Sequence, residues 1–173
     1  YNAYTIRGDL REQFGLGPIE TLEDLEEYFA RIKEYDPDMV AVHATGGDVG
    51  DYYALGRHLG QLFFGGPDYF NGGPAVIDPE TNQLSSFAHS DWLEEFVRIK
   101  RRWFVNGWQN PDVGAPYQSS QQLVQGNLGA FFGQRTQAGN LNRSRIPEGS
   151  DVLAESVILN PDQPGLRYYW ANN

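Results

Sequence analysis

Apolar positions in this chain follow two periods. In residues 18–36, PIETLEDLEEYFARIKEYD, the residues Leu22, Leu25, Phe29 and Ile32 recur at spacings of three and four, which predicts an amphipathic helix. Thr21 is the expected N-cap, with Asp24 three residues on as a weak capping box. Glu20, Glu23, Asp24, Glu26 and Glu27 crowd the first turns, where the helix dipole favours them, and read as a solvated face. Residues 90–107 give the clearest helix: Ser90 caps it, acids fill its first turn, bases its last, and Gly107 stops it. Its apolar face is Trp92, Phe96, Ile99 and Trp103. Residues 52–64 carry Tyr52, Leu55, Leu59 and Leu62 at helical spacing, and SSQQLVQG, 119–126, predicts a short helix ended by Gly126.

Short apolar runs between these helices predict strands: MVAVHA at 39–44, NLGAFFG at 127–133 and DVLAESVIL at 151–159. AVIDPETNQLSSF, 75–87, reads as a hairpin around a DPETN turn. ATGGDVGD, 44–51, and GGPDYFNGGP, 65–74, are glycine-rich loops, and TQAGNLNRSR is a brief helix or turn. The opening YNAYTIRGDLR is apolar and structured in character but receives no element. Helices alternating with short strands, without a repeat, predict one α/β or α+β domain over residues 1–173.

Composition narrows the function classes. A net charge of −10 disfavours nucleic acid. The absence of Cys removes disulfides, thiol nucleophiles and Cys-based zinc sites. His58 and His89 have no ligand spacing, Asp36-Pro37-Asp38 lacks a calcium-loop pattern, and no metal or cofactor is expected. No nucleophile elbow or phosphate loop occurs, so an enzyme is not the favoured reading. Aromatic residues make up 14% of the chain, a high share; most are expected in the core, and a surplus of Tyr and Trp also suits stacking on sugar rings.

Three motifs then carry a resemblance. Tyr4 to Leu10 and Ile19 to Leu25 match a "Y-x-x-D-L" step followed by "P-x-T-x-E/D-D/E-L" and a helix. Trp103 to Asp112, WFVNGWQNPD, matches "W-x-x-x-G-x-x-N-x-D". Leu123 to Gly133, LVQGNLGAFFG, matches "F/L-x-x-G-x-x-A-x-F-x-G". In this order they resemble the second lobe of an extracellular solute-binding protein of an ABC transporter. That family is the type II, sugar-binding group related to maltose-binding protein and the LplA-like lipoproteins. The resemblance implies an α/β single lobe of a type II periplasmic-binding-protein-like fold, a short central sheet flanked by helices. It implies a first lobe, signal peptide and lipobox outside these residues. It also implies an oligosaccharide ligand, a membrane permease as partner, and an extracellular or cell-surface, lipid-anchored parent.

The resemblance also places the site. The strand ending at Gly133 reaches the interlobe cleft, and the residues after it, Gln134, Arg135, Thr136 and Gln137, face the ligand. Gly133 is expected to let the backbone turn sharply and approach the ligand. Arg135 stands where maltose-binding protein has a sugar-stacking aromatic, so a guanidinium stacking on a ring or pairing with a sugar carboxylate is expected instead. The loop after the first strand supplies His43, Asp48, Tyr52 and Tyr53 as further candidates. For His43 a structural role is the stronger expectation, and for Asp48 and Asp51 N-capping is an equal one. Two readings compete with the binding lobe: a glycoside-processing enzyme using Asp48 and Asp51, and a structural domain that binds a partner but no small ligand.

Overall fold

The computed structural model describes residues 2–43, 75–77, 84–86, 91–110 and 118–159. The predicted helix over 52–64, both glycine-rich loops, the DPETN turn, Ser90, His58, His89 and the aromatic tail at 168–170 lie outside these residues.

The first element is a strand that the sequence pattern left unassigned. β1, Asn2–Arg7, lies inside a four-stranded sheet of order β2-β5-β1-β6. It pairs antiparallel with β5, Leu128–Gln134, on one side and with β6, Ala154–Val157, on the other. β2, Val40–Val42, runs parallel to β5 at the edge. Hence β2, β5 and β6 all point one way, and β1 begins at their carboxyl edge. The chain reads NAYTIR there because both faces of β1 are covered: Ala3, Tyr4, Thr5 and Ile6 are fully buried, so no polar-apolar alternation remains. The expected hairpin forms as β3, Ala75–Ile77, antiparallel to β4, Leu84–Ser86.

Helices cover the sheet. α1, Gly8–Gln13, follows β1 directly. α2, Leu22–Tyr35, starts with the predicted capping box, Thr21 Oγ1 accepting from Asp24 N and Asp24 accepting from Thr21 N. α3 is Asp91–Val105, and Gly107 ends its turn at φ +68°. α4 is Ser119–Val124, followed by Gly126 at φ +83°, and α5 is Gln137–Ser144.

Two apolar clusters result. The larger joins Tyr4, Ile6 and Phe132 of the sheet to Leu25, Phe29 and Ile32 of α2 and to Ile99 and Trp103 of α3. Phe29 and Trp103 meet edge to face, with centroids 5.2 Å apart at 86°. The smaller joins Phe131 to Leu123 of α4, Ala138 and Leu141 of α5, and Ala154. Consecutive residues of β5, Phe131 and Phe132, thus serve opposite faces, as the period of two requires. Polar groups tie the layers. The Tyr28 hydroxyl accepts from Arg7 N and lies within hydrogen-bond distance of the Arg7 and Gly129 carbonyl oxygens, fixing α2 to two strands. Trp103 Nε1 and Arg102 both donate to Glu26 Oε1, joining α3 to α2. The Asn142 amide both donates to Ala154 O and accepts from Ala154 N, so α5 caps the start of β6 as another strand would.

Candidate functional site

The carboxyl edge of the sheet gathers the sequence candidates that the structure describes. β2 ends first: His43 N donates to Ala130 O, four residues before β5 ends at Gln134. The last residues of β5 stay in the sheet, Gly133 paired with Ala3 and Gln134 with Asn2, so the turn that follows lies at its carboxyl edge.

His43 sits just past the end of β2, 9% exposed. Its Nδ1 lies 3.1 Å from Asn110 Oδ1, which makes Nδ1 the donor. Burial lowers its pKa, and the nearby Lys100 charge adds to that, while the Asn110 hydrogen bond opposes both. Lys100 itself lies 4.8 Å from the Trp103 ring centroid, and its buried ammonium has no hydrogen-bond partner among the described residues. Burial brings its pKa down to about 8. The segment carrying Asn110 runs beside β2: Val42 N donates to Trp108 O, and Gln109 Nε2 donates to Lys100 O. Asn110 and Lys100 were not legible as partners of His43, since 67 residues separate His43 from Asn110.

The second group is the turn after β5. Gln134 and Thr136 are exposed; Arg135 and Gln137 are half-buried. Ser156 Oγ, on β6, donates to Arg135 O at 2.7 Å and pins the turn from two strands away. Sequence reasoning missed Ser156, whose only local signal is a polar residue within a strand. Thr136 is the N-cap of α5 but has helical φ and ψ and makes no capping hydrogen bond, so its hydroxyl is not consumed by the helix start.

Gly133 has a different role from the expected sharp turn. Its backbone stays in the strand, paired with Ala3, and its φ is not positive. What it lacks is a side chain, and that hollow is filled by the Gln137 amide: a Cβ on Gly133 would collide with Gln137 Oε1 and lie 3.1 Å from its Cδ. Gln137 Oε1 is buried there without a hydrogen-bond partner among the described residues. A carboxamide held against a glycine and left unpaired carries a desolvation cost of about 1–3 kcal/mol that a ligand donor or water relieves.

This amide borders a cavity of about 330 Å³ between α4, β5 and α5, lined by Gln118, Ser119, Gln121, Phe131, Gln137 and Arg145, among others. Its chemistry is an apolar wall of Phe131 with amides, hydroxyls and one guanidinium around it, a composition suited to hydrogen-bonding a polyhydroxy compound over an apolar face. Asp48, Tyr52 and Tyr53 lie outside the described residues.

Neither a protein-family model nor a curated protein matches the chain. Solved structures do. A sugar transporter from Bacillus licheniformis, in complex with stachyose, is similar with TM-score 0.61 at 15% identity, over 91% of this chain and 38% of that one. The N-glycan transport solute binding protein of Streptococcus pneumoniae, in complex with Man1GlcNAc, gives 0.58 at 23% identity, over 92% and 34%. An HMO binding, ABC-transporter associated solute binding protein from Bifidobacterium longum infantis gives 0.59 at 17%, over 79% and 30%. The chain has the fold of part of a solute-binding protein. It spans about a third of the length of these proteins. All three are binding proteins or transporters by description, not enzymes. Among the described residues no helix is long and apolar enough to cross a membrane.

Proposed function

We propose that this chain is the second lobe of a two-lobe, extracellular solute-binding protein that delivers an oligosaccharide to an ABC-transporter permease. The observation that carries the reading is the turn after β5. It lies at the carboxyl edge of the sheet, is pinned by Ser156, and sets beside a polar cavity a Gln137 amide whose oxygen has no partner among the described residues. Gln134, Arg135, Thr136 and Gln137 are the hydrogen-bonding set, with Phe131 as the apolar wall. The fold supports this reading because solved structures similar to it include proteins described as in complex with stachyose and with Man1GlcNAc. His43 belongs to this proposal only as a buttress behind the turn. Asp48, Tyr52 and Tyr53 remain proposed contacts from the neighbouring loop.

A lobe that supplies part of a cleft binds weakly alone, because closure of both lobes completes the contacts. The test is an NMR titration of the isotope-labelled chain with oligosaccharides to tens of millimolar. Backbone shifts concentrated at residues 134–137, lost in Gln137→Ala, are expected. Absence of shifts with every saccharide would sink the carbohydrate reading and leave only the fold.

A further inference from the structure

The charge inside the cavity says more about its occupant than its polarity does. The chain carries 23 Asp and Glu against 13 Lys and Arg. Five described arginines pair with those acids: Arg7 with Asp9, Arg11 with Glu155, Arg31 with Glu34, Arg98 with Glu94 and Arg102 with Glu26, while Arg143 donates to Asn140 Oδ1 and Arg101 lies exposed on α3. Arg145 is different. It lines the cavity, and its guanidinium makes no ion pair or hydrogen bond with any described residue. Its backbone N donates to Leu141 O, which anchors it at the end of α5, so the side chain is displayed from a fixed point. No carboxylate lines the cavity among the described residues. Arg135, the residue expected to read a sugar carboxylate, does not line it.

We infer that this cavity takes an anionic sugar residue, a uronic acid, whose carboxylate pairs with Arg145 while its hydroxyls engage the Gln137 amide and the polar side chains of α4. The inference rests on the carbohydrate reading above and narrows it to one substrate class. Two features of the chemistry support it. A guanidinium offers the bidentate geometry that a carboxylate needs, and this one, with no acid partner among the described residues, is a local positive site on an acidic protein. A carboxamide matches the paired donor and acceptor character of a sugar hydroxyl.

The experiment compares trigalacturonate with maltotriose on the labelled full chain and on Arg145→Gln and Arg135→Gln. Arg145 is exposed, so the glutamine variant keeps its fold, and an unchanged melting temperature checks that. The expected result is trigalacturonate shifts at Gln118–Gln121 and Gln137. Binding should be at least tenfold weaker in Arg145→Gln and several-fold weaker in 0.5 M salt, while Arg135→Gln, outside the cavity, should cost only a few-fold as one member of the hydrogen-bonding turn. Maltotriose binding at the same residues as tightly as trigalacturonate overturns the uronic-acid inference and leaves the carbohydrate reading intact. Trigalacturonate binding unchanged in Arg145→Gln, or lost in Arg135→Gln instead, overturns the assignment to Arg145. Silence with both sugars overturns the inference and counts against the carbohydrate reading as well.

Discussion

β5 carries two glycines four residues apart, and the structure uses them for opposite ends. Gly129 lies in the buried half of the strand. A Cβ there would collide with Ile32 Cδ1 of α2 and lie 2.9 Å from Ala41 O on the neighbouring strand. Gly133 lies at the exit, where the atoms in the way belong to the tip of one flexible amide. The first hollow is closed by backbone and core, the second by a side chain that can leave. The difference separates architecture from site along a single strand: where neighbours are fixed, a missing side chain serves packing, and where they swing free, it makes room for chemistry. The same contrast holds across the edge. His43 is buried and paired with Asn110, whereas the Gln137 amide oxygen has no partner among the described residues.

The largest effect follows from the closed end. Gly129→Ala forces Ile32 aside and strains the β2–β5 pairing, and is expected to cost about 1–3 kcal/mol. Urea denaturation measures it directly. A loss under about 0.5 kcal/mol would show that α2 can move outward and that this half of β5 is no more fixed than the exit. Tyr28→Phe sharpens the point at nearly the same size. Its hydroxyl, fully buried, serves Arg7 and Gly129 backbone groups together, so removal should cost about 1–2 kcal/mol. Amide exchange should rise first at Arg7.

Much of the closed region was legible in the sequence. The apolar face of α2, its capping box, the stops at Gly107 and Gly126 and the β3–β4 hairpin all rest on local rules, and local rules survive folding. β1 was not legible, because a strand buried on both faces loses the alternation that identifies strands, and its six residues gave no turn signal before α1. The site was half legible. The polar run after Gly133 is local and stood out. The role of Gly133 did not, since glycine as a turn residue and glycine as a hollow look alike until Gln137 is seen to fill the space. Arg145 and Ser156 reach their places only through tertiary packing, so no spacing in the sequence marks them; Asn110 stands in the WFVNGWQNPD motif, but its pairing with His43 does not show there.

A smaller effect probes the paired residue of the comparison. Burial holds the His43 pKa below its unfolded value near 6.5. Above that pH both states are neutral and no cost arises. As pH falls through 6.5 the unfolded state takes up the proton first, so folding weakens until the folded pKa is passed. His43→Gln should therefore flatten the stability profile below about pH 6.5, with carboxylate titration left in both proteins. Identical acid limbs for the variant and the parent would mean that His43 protonates freely and belongs with the open end of the edge.

The smallest stability change comes with the sharpest reading of function. Gly133→Ala puts a methyl group into the hollow, and the Gln137 amide swings out because nothing hydrogen-bonds it there. The backbone φ at Gly133 is not in the left-handed region, so alanine fits the strand. Reduced freedom in the unfolded chain offsets the repacking against Phe131, and stability should change by less than about 0.5 kcal/mol. Saccharide binding should nonetheless fall several-fold, because the amide no longer sits beside the cavity at a fixed angle. Gln137→Ala should lose the same binding, and the double variant should lose no more than either alone, since both changes remove one group from one place. Additive losses would mean that Gly133 acts on the ligand by some route other than Gln137. An alanine at 133 as costly to folding as one at 129 would dissolve the distinction between the two ends of β5, and the exit would have to be counted as core.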